Sequence, residues 1–331
     1  MQKYSILDLA PVAEGRQISD AIANSVALAQ HGEALGFHRF WLAEHHNMPG
    51  IASAATAVLI GHVAGATKNI RVGAGGIMLP NHAPLMVAEQ FGTLNAIYPN
   101  RIDLGLGRAP GSDMTTARAL RRNMQAGDRF PDDVVELMDY LDDNPDVTPV
   151  RAFPGEGSHV PVYILGSSLF GAQLAAHLGL PYAFASHFAP AHLEQALHIY
   201  RSTFRPSAAL DAPYAIMAAG VVVADTDAEA TYLRSSQLMS FAKVITGKPG
   251  LMCKPSHDVQ SQIPAQVLAQ VQNAMSISAV GSLDTVQAQL ANIVSRYAPD
   301  ELMVTGMIYD QTAQLHSLTL ASKALSSLVV P

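Results

Sequence analysis

Eight short runs rich in β-branched, aromatic or other apolar residues recur along the chain. They begin at Tyr4, Arg39, Ile70, Arg101, Pro161, Pro181, Tyr214 and Glu301. Most are continuous apolar segments rather than strict alternations of apolar and polar positions, which is typical of strands in a parallel sheet covered on its outer face. The pattern therefore predicts eight parallel strands.

Windows with helical spacing lie between these runs. Apolar side chains recur three or four positions apart at Ile18, Ile22, Val26 and Ala29, at Val87, Phe91 and Leu94, and at Val286, Leu290, Ile293 and Tyr297. Gly36 and Gly179 predict helix ends, because glycine readily takes the positive φ that closes a helix. Ser282 and Asp284 predict a helix start, with the serine hydroxyl capping free N–H groups.

The alternation of strand and helix predicts an α/β fold, a single (β/α)₈ TIM barrel domain over residues 1–331. A doubly wound sheet is the alternative, but the glycine-rich turn expected after its first strand is missing, since the chain there reads DLAPVAEG. Two long connections predict insertions after strands 4 and 7, at about residues 113–159 and 246–278. The first contains a predicted helix in PDDVVELMDYLDD, and the second contains GKPGLMCKPSHD, whose glycines and prolines predict a mobile loop.

Composition and charge narrow the function classes. Hydrophobic residues make up 49% of the chain and charged residues 14%, which describes a globular protein with a large core. The net charge of −7 gives no electrostatic reason to bind nucleic acid or an anionic membrane. The single cysteine, Cys253, excludes an internal disulfide and a metal site built from several cysteines, and we expect no metal. The chain starts without the features of a signal peptide and has no apolar window long enough for a membrane span, so we expect a cytoplasmic protein that acts on a small molecule.

Candidate chemistry lies where the strands end, because the site of such a barrel is built at the carboxyl ends of its strands. The second strand ends in Glu44, His45 and His46. A histidine there can act as a general acid or base, or it can simply bond a loop carbonyl. The third strand carries glycines at positions 73, 75 and 76, which indicate either the close approach of a flat ligand or tight barrel packing.

The fourth and fifth strands end in groups that suit an anion. Arg108 follows Gly107, where its guanidinium can hold an anionic oxygen or form an ordinary salt bridge. Gly166, Ser167 and Ser168 stand at a predicted helix start, where free N–H groups attract a phosphate, although the same residues also make a simple N-cap. Together the strand ends predict a barrel mouth with two phosphate-compatible features and a histidine base.

Three segments of the chain read EHHNMPG, then VGAGGIMLPNHAPLMVAEQFGTLNAIYPNRIDLGLGRAPG, then VGSLDTVQAQL. Together they resemble bacterial luciferase-like monooxygenases, and the resemblance covers nearly the whole chain. It implies an FMN-dependent monooxygenase in which reduced FMN and dioxygen form a flavin hydroperoxide that oxygenates a small organic substrate, whose identity the sequence does not reveal. No second nucleotide fingerprint is present for NAD(P)H, so a separate NAD(P)H:flavin reductase is expected to supply the reduced FMN. Relatives often pair through the helices flanking the second and third strands, which implies a homodimer.

The resemblance also assigns roles by position. His45 matches the active-site histidine of the family, and Gly75 and Gly76 occupy the place of its non-prolyl cis peptide beneath the flavin. Arg108, Arg118 and Ser168 fall where the family holds the flavin phosphate. These are expectations carried over from the family.

The chain departs from the light-emitting members in two ways. Gly107 stands where they carry a reactive cysteine, and the segment after Thr246 is shorter than their lid, so we expect a non-luminescent protein. Two other functions remain open for such a chain. One is hydride transfer from a deazaflavin, and the other is flavin binding without catalysis.

Overall fold

Nine parallel strands form one sheet in a computed structural model, which describes residues 1, 3–109, 114–121, 129–143 and 150–329. Their bounds are β1 Lys3–Asp8, β2 Arg39–Leu42, β3 Arg71–Met78, β4 Ile102–Gly107, β5 Val162–Gly166, β6 Tyr182–Phe184, β7 Ala215–Val223, β8 Ser278–Gly281 and β9 Glu301–Thr305. All eight predicted runs are strands.

The described residues also contain twelve α-helices. They are α1 Ile18–Ala34, α2 Thr56–Ala66, α3 Pro84–Ile97, α4 Met114–Ala119, α5 Phe130–Leu141, α6 Leu169–Leu178, α7 Leu193–Thr203, α8 Asp227–Ile245, α9 Val259–Gln262, α10 Ala265–Ala274, α11 Leu283–Tyr297 and α12 Gln311–Ser326. The three windows of helical spacing fall in α1, α3 and α11, as predicted.

Eight strands close into a barrel. β1 pairs with β2 on one side and with β9 on the other, β2 to β7 pair in chain order, and β7 pairs with β9. The predicted (β/α)₈ TIM barrel is therefore confirmed. β8 is a ninth strand that the sequence pattern did not predict, and it pairs with β7 alone, at residues 220–223. Only two of its four residues are buried, so it carries too short an apolar signal to be recognised.

Both predicted insertions are present. After β4 the chain forms α4 and α5, and α5 contains the predicted helix, while residues 110–113, 122–128 and 144–149 of this insertion lie outside the described part. After β7 come α8, α9, α10, β8 and α11. The glycine- and proline-rich stretch in this second insertion has no helix or continuous strand, but Met252 is buried and exchanges backbone hydrogen bonds with Val12 and Glu14. Its contact with the β1–α1 connection was not predicted.

Helix ends follow the expected glycine chemistry, with one correction at a helix start. Gly36 and Gly179 have φ of 81° and 66°, in the left-handed region that closes a helix. Ser282 is the N-cap residue of α11, but its hydroxyl donates to Thr285 Oγ1 and makes no bond to the helix backbone. The prediction that this hydroxyl caps the helix is therefore wrong. The carboxylate of Asp227 accepts from the Ser282 N–H instead.

The lower end of the barrel interior is ionic. The Arg39 guanidinium donates to the two carboxylate oxygens of Glu301 at 2.8 and 3.0 Å and to Asp103 at 2.8 Å, and all three side chains are buried. Tyr163 accepts from Arg39 at 2.7 Å, and Arg71 pairs with the other oxygen of Asp103. We call these five residues the basal network, because Arg39 and Glu301 are the first residues of β2 and β9. In such barrels this end serves stability and the opposite end carries the chemistry.

An apolar layer lies inside the barrel above the basal network. It consists of Leu7, Trp41, Ala43, Tyr163, Ala183, Ile216 and Met303. A larger apolar cluster fills the space between the outside of the barrel and its helices. No helix within the described ranges is both long and apolar enough to cross a membrane.

Candidate active site

The barrel mouth is the end where β2, β3, β4, β5 and β6 finish, just after Leu42, Met78, Gly107, Gly166 and Phe184. Parallel strands bring these five ends to one face, so every residue predicted from a strand end lies around the same opening. The glycines on β3 and β4 keep side chains out of part of this face. The mouth is therefore the candidate active site.

His45 lies just beyond β2, two residues after Ala43 of the inner apolar layer. Its Nδ1 is buried and has no hydrogen-bond partner among the described residues. Burial lowers the pKa of the imidazole, so His45 is held neutral near pH 7. A neutral imidazole with an unused ring nitrogen can donate or accept one hydrogen bond to a ligand. A hydrogen bond between the ring and the Ala43 backbone opposes the effect of burial on the pKa, so the alternative that His45 bonds a loop carbonyl stays open.

Glu44 ties the end of β2 to the connection between β3 and α3. It accepts hydrogen bonds from His46 at 2.7 Å, from His82 at 2.9 Å and from the Met78 backbone N–H at 2.9 Å. Burial alone would raise the pKa of Glu44, but the bonds from these groups outweigh it and lower the pKa below its ordinary value. Glu44, His46 and His82 lie close enough together to hold a metal ion, and in this structure the two imidazoles bond the carboxylate directly. We interpret the three residues as a structural clasp that leaves His45 as the open histidine of the pair.

The peptide bond between Gly75 and Gly76 is cis, as the family resemblance implied. The pairing of β3 with β4 shifts register at this point, and Gly76 O accepts from the Glu44 N–H at 3.2 Å. A Cβ at Gly75 would lie 2.9 Å from Leu7 and 3.0 Å from Trp41, and one at Gly76 would lie 2.6 Å from Gly105 O. Tight packing therefore requires both glycines, whatever else binds over them.

Arg108 meets the start of α6. Its guanidinium lies 4.2 Å from the centre of the Phe170 ring, in the first turn of that helix. Ser168 is the N-cap residue of α6, but its hydroxyl makes no capping bond, so the first N–H groups of the helix are left for another acceptor. A Cβ at Gly166 would meet nothing closer than 4.0 Å, so the strand end beside Ser167 and Ser168 is open. A cation, hydroxyls and a helix N-terminus thus converge where an anion would bind.

No hydrogen bond or ion pair within the described residues joins Arg118 to Arg108 or to the start of α6. Arg118 is exposed on α4, and its side chain makes no hydrogen bond or ion pair with another residue of the described part. Its assignment to the cofactor phosphate therefore stays a prediction.

Two residues of the mouth were missed by the sequence analysis. His187 follows β6 as His45 follows β2, and its Nδ1 is also buried without a partner in the described residues. Burial, with smaller contributions from the nearby charges of His45 and Arg234, lowers the pKa of His187 to about 3. Arg234 lies on α8 and is buried. His187 could have been found by treating the end of the sixth strand like the other ends, whereas nothing in the sequence marked Arg234.

A separate cavity of about 270 Å³ lies between α1, the start of α12 and the β1–α1 connection. Its polar lining includes Asp8, Arg16, Asn24 and Gln314. Burial raises the pKa of Asp8, and the Ser25 hydroxyl donates to its carboxylate. The cavity shares no lining residue with the mouth histidines, the cis peptide or the start of α6.

A sequence model of luciferase-like monooxygenases matches residues 3–298. The chain belongs to the luciferase-like monooxygenase family. A luciferase-like monooxygenase of Escherichia coli K12 is 51% identical over 319 residues, which cover 96% of this chain and 95% of the relative. Membership confirms that the protein is an enzyme, an oxidoreductase of the luciferase-like type.

Solved structures of luciferase-like proteins have the same fold. MsnO8 in its apo form superposes with a TM-score of 0.87 at 32% identity, over the whole of both chains. The oxygenating constituent of 3,6-diketocamphane monooxygenase from Pseudomonas putida, solved in complex with FMN, superposes with a TM-score of 0.71 over 99% of each chain. The second protein is only 18% identical to this chain, so the likeness shows a shared fold alone.

Proposed function

We propose that the protein is an FMN-dependent monooxygenase that uses reduced FMN and dioxygen to oxygenate a small organic substrate. One observation carries the choice of FMN. Arg108 stacks on Phe170 at the start of α6, next to Ser167 and Ser168, which makes an anion site at the rim of the mouth. A flavin with a terminal phosphate can place that phosphate there and direct its ring system inward.

The remaining residues of the mouth fit the other end of FMN. The cis peptide between Gly75 and Gly76 lies near the end of β3, and the proposal places the flat ring of the flavin against this backbone. His45 offers an unpartnered, buried ring nitrogen nearby. When bound and reduced, FMN supplies the electrons that activate dioxygen, with one oxygen atom passing to the substrate and the other leaving as water.

The residues of the chain would position the flavin and the substrate, exclude water from the site and supply a group that can accept a proton. The apolar layer inside the barrel forms the bottom of the site and keeps water out of it. Exclusion of water protects the reaction with dioxygen from side reactions. His45 is neutral near pH 7, so it can accept a proton from the substrate or hold a hydrogen bond to the reacting oxygen. Arg118 would join the phosphate site if its exposed side chain turned toward bound FMN.

Partners and assembly are part of the same proposal. A separate NAD(P)H:flavin reductase would supply reduced FMN in the cytoplasm. A homodimer would bury Val58 on α2 and Met86 and Ile97 on α3, which are 72%, 57% and 58% exposed. We also infer that residues 1–331 form one barrel domain, because every described strand belongs to one sheet.

The test is anaerobic reduction of bound FMN by light, followed by mixing with dioxygen and measurement of the flavin absorbance. We expect the protein to bind reduced FMN and to return the oxidised spectrum at a rate clearly different from that of free FMN. Preferential binding of a deazaflavin, with hydride transfer and no reaction with dioxygen, would replace the proposal by the dehydrogenase alternative. Tight binding with the reoxidation rate of free FMN would indicate flavin binding without catalysis.

A further inference from the structure

Arg234 is a buried cation whose charge no acidic residue of the described part neutralises. Its side chain is 6% exposed. Its two recorded hydrogen bonds go to uncharged oxygens, Gln237 Oε1 at 2.6 Å and Ser278 Oγ at 2.9 Å. A guanidinium has five N–H donors, so three of them have no recorded acceptor.

The position of Arg234 is built into the fold. A Cβ at Gly220 would lie 2.9 Å from Arg234 Nη1, so the missing side chain on β7 makes the room that the guanidinium occupies. Gly220 is four residues beyond Ile216 on β7, and Ile216 belongs to the inner apolar layer. Because side chains alternate along a strand, the empty side of Gly220 faces the same way as Ile216. Arg234 therefore lies toward the inside of the barrel, at its mouth end.

His187 completes a polar group with Arg234. Its buried Nδ1 has no acceptor or donor within the described ranges. His187 comes three residues after β6, Arg234 lies against Gly220 of β7, and β6 pairs with β7, so the two side chains belong to neighbouring strands of the mouth. The buried ring nitrogen and the unneutralised guanidinium are two separate signs of a partner that the chain itself does not supply.

An anion is the partner that would satisfy both groups. Isolated buried charges are strongly disfavoured, and arginine binds carboxylates and similar oxyanions through two parallel hydrogen bonds. The neutral His187 could donate one further hydrogen bond from Nδ1. An apolar surface adjoins them, because the Phe188 ring packs edge-on against His187 with ring centres 4.9 Å apart and is 42% exposed.

We propose that Arg234 and His187 form the binding site for the acidic group of the substrate, an organic anion whose apolar part lies along Phe188. The site is built from the residues after β6 and from α8, whereas the proposed FMN phosphate site is built from the end of β4 and the start of α6, so we expect the two anions not to compete. The proposal rests on the proposed oxygenation in one respect only, which is that the bound anion is the molecule to be oxygenated. It names the substrate class as organic acids rather than neutral hydrocarbons or amines.

The experiment measures binding without turnover. The full chain, saturated with oxidised FMN, is titrated by calorimetry with hexanoate, with hexane-1-sulfonate and with the neutral analogue hexanamide, and the titrations are repeated without FMN. We expect both anions to bind at least tenfold more tightly than hexanamide. A stronger response to the sulfonate would identify the acid as a sulfonate, and a stronger response to hexanoate as a carboxylate.

Variants then locate the site. Arg234→Met should lose at least tenfold in hexanoate affinity while its affinities for hexanamide and FMN stay unchanged, and Arg234→Lys should recover part of the loss. Arg205→Met is the matched control, since Arg205 is exposed on the connection before β7, at the opposite end of the barrel, and should bind hexanoate like the wild type.

Several outcomes would overturn the proposal. They are equal binding of hexanoate and hexanamide by the wild type, unchanged hexanoate binding by Arg234→Met, and a loss of FMN affinity in Arg234→Met, which would assign Arg234 to the cofactor. If Arg234→Met does not fold, the wild type still tests the proposal, because equal affinities for hexanoate and hexanamide would show that the protein does not recognise the acidic group. A protein that binds hexanoate at Arg234 but never reacts with dioxygen would refute the proposed function and leave this site standing.

Discussion

Removing Arg39, one of the two cations of the basal network, should destabilise the protein without affecting its chemistry. In Arg39→Met, Glu301 loses two hydrogen bonds and its ion pair, and keeps the hydroxyls of Ser5 and Tyr214. Asp103 still pairs with Arg71. The change therefore leaves one fully buried carboxylate without a cation in the described part, at the end of the barrel opposite the mouth.

The size of the effect follows from that single unpaired charge. Breaking a buried ion pair by removing one partner costs about 3–5 kcal/mol. Methionine is close in length to the arginine stem, so little of the loss should come from packing. At roughly 2–4 °C per kcal/mol for a domain of a few hundred residues, we expect a fall in melting temperature of about 6–20 °C. A buried carboxylate without a cation is relieved by taking up a proton, so the deficit should shrink between pH 7.5 and pH 5.5.

The assay is thermal and urea unfolding of the apoprotein at both pH values, with FMN titration of the folded variant. Arg205→Met controls for the loss of an exposed arginine. The double variant Arg39→Met with Glu301→Gln should recover part of the lost stability, because it removes the buried carboxylate that Arg39→Met leaves without a cation. Unchanged melting in Arg39→Met, or weakened FMN binding with unchanged melting, would refute the assignment of this network to stability alone.

Three further changes test the mouth. Arg108→Ala should weaken FMN binding by about 1.5–3 kcal/mol and leave riboflavin affinity nearly unchanged, because only FMN carries the phosphate. If titration shows an equal loss of affinity for both ligands, Arg108 does not bind the phosphate. His45→Ala should keep the melting temperature within a few degrees, because the Nδ1 of His45 has no partner in the described part that would lose a hydrogen bond. It should change the rate of flavin reoxidation, measured by stopped flow, at least tenfold. A strongly destabilised His45→Ala with normal reoxidation would contradict the catalytic role. The pKa of His187 is about 3 in the folded protein, below the ordinary value of 6.5. As the pH falls, the unfolded chain therefore takes up a proton at this histidine before the folded protein does. The free energy of unfolding should decrease as the pH drops from 6.5 toward 3. The limiting slope is about 1.4 kcal/mol per pH unit, and His187→Asn should lack this contribution in urea titrations at pH 4.5 and 6.5.

Much of the fold could be predicted from the sequence because its signals are local. A strand buried on both faces is a continuous apolar run wherever it occurs, and a glycine that closes a helix sits at the helix end itself, as at Gly36 and Gly179. Strand ends are visible in the same way, and in a barrel they all meet at one mouth. That is why His45 and Arg108 could be named as candidate site residues before any contact was known.

Tertiary structure decided the features that depend on residues far apart in the chain. Arg39, Asp103 and Glu301 form one network although they come from β2, β4 and β9, and no local pattern marks which charges will meet inside a barrel. Glu44 and His46 are catalytic candidates in sequence, and only the structure shows their contacts with each other and with His82, which we interpret as a structural clasp.

The same reason hid the second half of the mouth. His187 follows β6 and Arg234 lies on α8, and they reach neighbouring strands of the mouth only because β6 pairs with β7 and Gly220 leaves space on β7. Whether a polar side chain forms all its hydrogen bonds within the protein, or keeps one for a ligand, depends on its burial and on every neighbour within hydrogen-bond distance. Sequence names the residues capable of chemistry, while the packed barrel determines which of them remain without a partner.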